Sequence, residues 1–220
     1  MSKKVFWCKN CLNMSTRPRI EFDNKCWCNA CQWSEEKKTF DWEGRKKELK
    51  KLLDKYRSNS GNFDCVVPVS GGKDGSYVAY TLKHKYGMNP LCITVAPALS
   101  LDLGDQNLKN FINSGYNHLH INPDVNIMQK LNKIGFVEKG FPYYGWLIAI
   151  QSAVIRTALN FNIPLLFYGE DGEVEYGGST ETKGNSLLSI DYQKKVWFEG
   201  GYDLVMSKVG NMKSSDLYFW

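Results

Sequence analysis

The chain has 220 residues, of which 43% are hydrophobic and 23% are charged, a balance typical of a soluble globular protein. No apolar run approaches the roughly 20 residues that a membrane-spanning helix needs, and the N-terminus lacks the apolar stretch of a secretory signal. We therefore expect a cytoplasmic protein with no membrane span, in which paired cysteines are metal ligands rather than disulfides.

Positive charge is concentrated in the first quarter of the chain. Residues 1–57 contain 15 Lys and Arg against 8 Asp and Glu, a net charge of +7, whereas residues 58–220 carry 13 and 15, a net charge of −2. A basic segment of this kind can bind nucleic acid or polyphosphate. A solvated helix face explains it as well, and we favour that interpretation, so we do not expect a nucleic-acid partner.

The first 40 residues contain two CxxC pairs, Cys8 with Cys11 and Cys28 with Cys31, separated by 16 residues. This spacing is typical of a zinc site, because two residues between thiolates let both reach one tetrahedral ion. Four thiolates close the coordination shell, so the predicted Zn²⁺ is structural. Cys26 offers an alternative to Cys28, and we prefer Cys28 because it completes the second CxxC pair. Residues 1–40 are thus predicted to form a zinc-binding module.

Residues 41–60 are predicted to connect this module to a larger domain. Leu49, Leu52, Leu53 and Tyr56 recur with the period of an amphipathic helix. The segment 58–62, rich in Ser, Asn and Gly, indicates a loop.

Residues 61–220 are predicted to form one α/β domain. Strands are expected at 64–70, 91–95, 118–121 and 163–168, and helices at 74–87, 104–114, 124–135 and 145–161. Alternating strands and helices favour a parallel, Rossmann-like sheet covered on both faces, with ligands bound at the carboxyl ends of the strands. Cys65 and Cys92 fall inside strands and are expected to be buried apolar residues.

A glycine-rich loop follows the first predicted strand and opens the next helix. Backbone amides at such a position bind phosphate, and the pattern is not a Walker loop. An ordinary strand-to-helix turn is the alternative. The predicted ATP-binding residues are Ser70, Gly71, Gly72, Lys73, Asp74, Gly75 and Ser76, with the adenine near Val95 and Ala96.

An acidic segment, 169–178, follows the last predicted strand. Its carboxylates are candidate ligands for Mg²⁺ beside substrate phosphates, Glu170 first and Asp171 second. A solvated acidic loop is the alternative. The aromatic run 141–146 suits a sugar or base pocket and core packing equally, and we assign no chemistry to the three histidines.

The loop SGGKDGS resembles the SGGxDS loop of the PP-loop ATP pyrophosphatases, whose fold is of the adenine nucleotide alpha hydrolase type. Together with other short motifs it resembles the N-acetyl sugar amidotransferase family, over nearly the whole chain. The further motifs are Cys8-x2-Cys11, Thr16-Arg17-Pro18, Phe22-Asp23, Cys28-Asn29-Ala30-Cys31, and Gly169-Glu170 followed by Glu175-Tyr176-Gly177-Gly178. The sequence departs from the loop pattern at Gly75, where a serine is expected. Family members usually extend further, so we expect a C-terminal part of the family to be absent.

The resemblance implies an ATP-dependent amidotransferase of bacterial surface-glycan synthesis, including lipopolysaccharide O-antigen. An N-acetyl group of a nucleotide-linked sugar would be adenylated on its carbonyl oxygen, and ammonia would then displace AMP to give an acetamidino group. Lys73, Asp74, Glu170 and Asp171 would be the catalytic residues, and Gly169 would contact the nucleotide. The chain has no visible glutaminase residues, so the expected partners are a separate glutaminase and a cyclase-like subunit that channels ammonia.

Two other functions remain open at this point. A PP-loop enzyme that modifies tRNA, by thiolation or lysidine-type chemistry, would fit the zinc module and the basic N-terminal quarter. A zinc-containing nucleotide-binding protein without catalysis would bind ATP and release no AMP.

Overall fold

The computed structural model describes residues 4–187 and 189–220. Contacts divide the chain into two compact units. The N-terminal unit comprises Met1–Glu48 and Glu170–Ser189, and the sheet unit comprises Leu49–Gly169 and Ile190–Trp220. The boundaries predicted at residues 40 and 60 stay predictions. A grouping of Glu170–Ser189 with the N-terminal segment was not among them.

Helices account for most of the regular structure. They are α1 Asn29–Glu36, α2 Trp42–Tyr56, α3 Lys73–Tyr80, α4 Asp102–Asn113, α5 Val125–Lys139, α6 Tyr144–Asn160, α7 Gly172–Tyr176, α8 Ile190–Tyr192 and α9 Tyr202–Ser207. The structure also has a 3₁₀ turn at Lys37–Thr39 and π-helical segments at Thr81–Lys85 and Gln193–Trp197. The amphipathic pattern in α2 predicted its apolar face, which buries Leu53 and packs Leu49, Leu52 and Tyr56 beside it.

The sheet unit is built on three parallel strands, β1 Cys65–Pro68, β2 Pro90–Val95 and β3 Asn117–Ile121, in the order β1-β2-β3. Val67 pairs with Cys92, which pairs with His118. One face packs against α2, α3 and α4, and the other against α6. The predicted α/β class with a parallel sheet is confirmed.

The strand predicted at 163–168 is reduced to a single parallel bridge between Val66 and Leu166. The Val66 amide donates to Leu165 O at 2.9 Å, and the Phe167 amide donates to Val66 O at 3.0 Å. The next residue of β1 that faces this segment is Pro68, which has no amide hydrogen and cannot donate a further ladder bond. The prediction of a full strand was therefore wrong, although the segment does lie beside β1.

The chain changes direction across the sheet at β1. From β1 it proceeds to β2 and β3 on one side, and it later returns to the opposite side of β1 with residues 165–167. Such a reversal is a topological switch point, where the carboxyl ends of the strands open a crevice for ligands.

A separate cluster of α5, α6 and the C-terminal residues completes the sheet unit. Tyr144 donates its hydroxyl to Phe198 O, and Trp220 donates from Nε1 to Gly145 O at 2.9 Å. Among the described residues, no helix has the length and apolar character required to cross a bilayer.

Candidate functional site

The structure brings together the four predicted metal ligands, Cys8, Cys11, Cys28 and Cys31, with all sulfur atoms within 4.8 Å of one another. The Sγ–Sγ distance is 3.8 Å for Cys8–Cys31 and for Cys28–Cys31, and 3.5 Å for Cys11–Cys28. Zinc–sulfur bonds of about 2.3 Å place tetrahedral sulfurs about 3.8 Å apart. The cluster therefore fits one zinc ion with four thiolate ligands.

Backbone amides stabilise the thiolate form of Cys8. The amides of Cys28 and Asn10 donate to Cys8 Sγ at 3.2 and 3.4 Å. Burial raises the pKa of Cys8, but the amides of Cys11, Cys28 and Asn10 outweigh it and bring the pKa down to about 6. Burial raises the pKa of Cys31 to about 12. A bound metal ion would stabilise the thiolate form of Cys31 against this cost of burial.

Cys26 lies outside the four-sulfur group. It adopts a left-handed conformation with φ 59°, its amide donates to Asp23 O at 2.9 Å, and its carbonyl accepts from the Lys9 amide at 3.0 Å. Cys26 thus forms the turn that delivers Cys28 to the cluster. This geometry supports the choice of Cys28 as the ligand.

The acidic segment belongs to the N-terminal unit. Glu173 accepts from Nε and Nη2 of Arg19 at 3.0 Å each, and from the Ser179 amide at 2.6 Å. Asn29, inside the second CxxC pair, donates from Nδ2 to Gly178 O at 2.7 Å. Burial raises the pKa of Glu173, and the Arg19 hydrogen bond, the Ser179 amide and the charge of Arg19 reverse that effect, so its pKa is lowered. Glu173 therefore acts as a structural anion in this unit.

The two acidic residues chosen from the sequence precede α7. Glu170 and Asp171 are exposed. Although Asp171 is exposed as a whole residue, partial desolvation of its carboxyl raises its pKa, and the Val174 amide partly opposes this. Both residues stay candidates for Mg²⁺ binding.

The glycine-rich loop occupies the carboxyl end of β1 at the switch point. Val69 is buried, Ser70 is exposed, and α3 begins at Lys73. The residue before α3, Gly72, has an extended conformation and offers no side-chain cap. The first turn of α3 is therefore not capped by the side chain that precedes it, as at helix starts that bind anions.

Close approaches of the backbone explain the three glycines of this site. A Cβ on Gly71, where φ is 81°, would lie 2.6 Å from Leu108 N in α4. A Cβ on Gly75 would lie 2.6 Å from Pro68 O, and one on Gly169 would lie 2.6 Å from Gly75 N. A serine at position 75 would crowd the end of β1, which accounts for the departure from the SGGxDS pattern.

The remaining predicted nucleotide-binding residues lie at the same edge of the sheet. Lys73 Nζ is 2.6 Å from Asp74 Oδ1, and both side chains are exposed at 87% and 41%. Val95 ends β2, and the Ala96 amide donates to Ile121 O at 2.8 Å, so that amide is engaged by the sheet. The assignment of these residues to ATP stays a prediction.

Two residues that the sequence did not indicate support the start of the loop. The Thr94 hydroxyl donates to Val69 O at 2.6 Å, and His118 Nε2 lies 2.8 Å from Thr94 Oγ1. Burial, followed by the charge of His120, lowers the pKa of His118. Strand register decides this contact, because Thr94 pairs with His120, two residues from His118 on the same face of β3.

The other two cysteines are buried between the sheet and its helices. Burial raises the pKa of Cys65 and of Cys92 to about 12. Both thiols are therefore protonated at neutral pH, the less nucleophilic form of cysteine.

The fold and these sites define a class: an α/β protein with a glycine-rich loop at the switch point of a parallel sheet and a four-cysteine cluster suited to zinc. No family model matches the chain. It is 33% identical over 89 residues to the uncharacterized protein MJ1599 of Methanocaldococcus jannaschii, which is 40% of this chain and 32% of that protein. The chain thus spans about a third of the length of that relative.

A solved structure from the same archaeon is also similar. It is described as a predicted subunit of tRNA methyltransferase, shares 20% sequence identity, and is matched over 60% of this chain and 62% of that chain with a TM-score of 0.35. A likeness at that level assigns no function to this chain. The resemblance to N-acetyl sugar amidotransferases has no support from these comparisons.

Proposed function

We propose that the chain binds ATP at residues 70–76 and transfers AMP to an acceptor oxygen, with release of pyrophosphate. The observation that carries the proposal is the glycine-lined start of α3 at the switch point. Gly71 and Gly75 let the loop pack closely against Leu108 and the end of β1, and the first turn of α3 has no side-chain cap. Amides and a helix dipole directed at one point form a phosphate site.

The chemistry follows from the charges at this site. An acceptor oxygen attacks the α-phosphorus, the bond from that phosphorus to the bridging oxygen breaks, and pyrophosphate leaves. Lys73 places a cation beside the phosphates, while Asp74 holds Lys73 by an ion pair of 2.6 Å. Mg²⁺, when bound with ATP, would neutralise the leaving pyrophosphate.

RNA is the acceptor that we favour. Helix α2 exposes Lys50, Lys51 and Lys55 and buries Leu53. No carboxylate within ion-pair distance of these lysines occurs among the described residues. Cations of this kind bind phosphate backbones without base specificity. This reverses our sequence-based preference for a solvated helix face.

An N-acetyl sugar is the second candidate acceptor, and the motif resemblance favours it. Adenylation of the acetamido oxygen would create a good leaving group, which ammonia would displace. Since the chain has no visible glutaminase residues, it would use ammonium salts alone and glutamine only with its partner proteins.

The deciding experiment measures AMP and pyrophosphate formed from ATP and Mg²⁺. The chain is incubated in parallel with bulk tRNA, or with UDP-N-acetyl sugars and ammonium chloride. We expect acceptor-dependent AMP with tRNA, and its loss in Asp74→Ala. The matched control is Asp203→Ala, which removes a comparable exposed lysine–aspartate pair, Lys194–Asp203 at 2.9 Å, and leaves the loop intact.

The outcomes separate the candidates. If AMP forms only with the sugar and ammonium, the acceptor is an N-acetyl sugar rather than RNA, and the chain is an amidotransferase. ATP binding without AMP under any condition would indicate a nucleotide-binding protein. Equal activity of Asp74→Ala and the unaltered chain would remove the loop from the reaction.

A further inference from the structure

The carbonyl of Val69 is fixed by side chains rather than by the sheet ladder alone. The Val69 amide continues the ladder by donating to Ile93 O at 2.8 Å. Its carbonyl then accepts the hydroxyl of Thr94, at 2.6 Å, from the neighbouring strand. Thr94 is buried, so this bond is shielded from water. Because Val69 directly precedes the exposed loop, this bond sets the conformation in which the loop begins.

The protons in this group can be assigned. A threonine hydroxyl has one hydrogen, which lies on the bond to Val69 O. The contact of 2.8 Å between Thr94 Oγ1 and His118 Nε2 therefore has His118 as its donor. Burial of the imidazole favours its neutral form, with the hydrogen on Nε2 and none on Nδ1. His118 thus holds the Thr94 hydroxyl in the rotamer that reaches Val69.

Peptide geometry transmits this constraint to the loop. The Val69 carbonyl and the Ser70 N–H belong to one planar trans peptide, so they point in opposite directions. Since Thr94 draws the carbonyl toward β2, the Ser70 N–H points to the other side of β1. Residues 165–167 lie on that side, and the crevice of the switch point opens there.

We propose that Thr94 and His118 are positioning residues that orient the Ser70 amide as a phosphate donor of the loop. This inference rests on the proposed function, because it assigns a role within the ATP site. Neither side chain touches the phosphate. Thr94 orients one peptide group, and His118 orients Thr94.

The test is calorimetric titration of the full chain with MgATP and, separately, with magnesium pyrophosphate. Thr94→Val keeps the shape and removes the hydroxyl, and we expect binding about tenfold weaker, the value of one lost hydrogen bond to a charged ligand. Thr94→Ser restores the hydroxyl and should restore binding. His118→Leu should weaken binding, and His118→Gln, which has an amide donor, should recover part of the loss.

The matched control is Thr157→Val. Thr157 is also buried in the sheet unit and also donates to a backbone carbonyl, Ala153 O at 2.8 Å, but it lies in α6. Its removal should lower the free energy of unfolding by an amount similar to Thr94→Val and leave MgATP affinity unchanged. A purely structural role for Thr94 would make the two variants behave alike.

Each outcome is decisive. If the unaltered chain binds neither ligand, the proposed ATP site fails and this inference fails with it. If it binds and Thr94→Val binds equally well, the inference alone is overturned. If Thr94→Val does not fold, the His118→Leu and His118→Gln pair decides, because equal affinities in both would overturn the inference.

Discussion

The four-cysteine cluster and the glycine-rich loop depend on opposite features of the sequence. The cluster depends on side chains, since four sulfurs must converge to within 4.8 Å of one another. The loop depends on the absence of side chains, since Gly71, Gly75 and Gly169 leave room for three backbone approaches of 2.6 Å. A cluster of side chains is recognised from spacing alone, whereas a backbone site becomes interpretable once its neighbours in space are known.

The largest effect is expected from loss of a sulfur ligand. Cys28→Ser should release the metal and unfold the N-terminal unit, because metal binding supplies roughly 10 kcal/mol or more in isolated zinc modules. Cys26→Ser is the control, since Cys26 lies outside the sulfur group. Elemental analysis should give about one zinc per chain in the control and none in Cys28→Ser. The reverse result would make Cys26 the ligand.

The next effect tests the loop by adding one carbon atom. Gly71→Ala places a Cβ against the backbone of Leu108 at a residue with φ 81°, and the two strains together should cost about 3 kcal/mol in the free energy of unfolding. Gly72→Ala is the control, because its Cβ meets only the Ser70 hydroxyl, at 3.2 Å. Urea unfolding monitored by circular dichroism measures both. Equal free energies of unfolding for Gly71→Ala and Gly72→Ala would show that the backbone of α4 at Leu108 moves at little cost.

A third change creates the SGGxDS pattern. Gly75→Ser should destabilise the protein by about 2 kcal/mol, since its Cβ would lie 2.6 Å from Pro68 O. Thermal unfolding compares it with Ser76→Gly, which creates no such contact. A gain in stability on Gly75→Ser would mean that the end of β1 accommodates a side chain at position 75 without strain.

An effect of similar size is expected from the ion pair of the N-terminal unit. Glu173→Gln should cost about 2 kcal/mol, because Glu173 and Arg19 are largely buried, with side chains 16% and 28% exposed. Glu35→Gln breaks an exposed pair with Lys38, 51% and 67% exposed, and should cost well under about 1 kcal/mol.

The Glu173 pair also predicts a pH dependence. The folded-state pKa of Glu173 lies below its ordinary value of 4.5. Its contribution to stability is therefore complete above about pH 4.5 and is lost as pH falls through the folded-state pKa. Denaturant unfolding at pH 7 and in this acidic range should show the gap between Glu173→Gln and the unaltered chain narrowing. A gap that is constant with pH would contradict the assignment.

Sequence patterns predicted the strands β1, β2 and β3 and the helices α2 to α6, but not α1 or α7 of the N-terminal unit, nor α8 or α9. The CxxC spacing, the leucine period of α2 and the apolar runs of β1 and β2 depend on local rules, and those predictions are confirmed. The strand predicted at 163–168 failed because only Leu166 bridges β1, and Pro68, the next residue of β1 on that side, has no amide hydrogen to donate. The apolar run at 163–168 gives no information about the donors of the strand beside it.

Long-range contacts were beyond the sequence patterns. The sequence predicts Glu170 and Asp171 of the acidic segment as Mg²⁺ ligands, but no pattern predicted that Glu173 pairs with Arg19, 154 residues away. Thr94 and His118 are joined across two strands, so only the register of the sheet reveals their contact. In both cases the chemistry depends on the partner, and spacing along the chain carries no information about it.

The burial of Cys65 and Cys92 has a practical consequence. Their thiols are protonated at neutral pH, and a metal ion would protect the sulfurs of Cys8, Cys11, Cys28 and Cys31 from alkylating reagents. Cys26 alone would then react with a maleimide dye in the folded, metal-loaded chain. One label per molecule would report an intact cluster, and each molecule that lost its metal would take up additional dye. The number of labels taken up by the seven cysteines would thus measure the fraction of molecules that hold a metal ion.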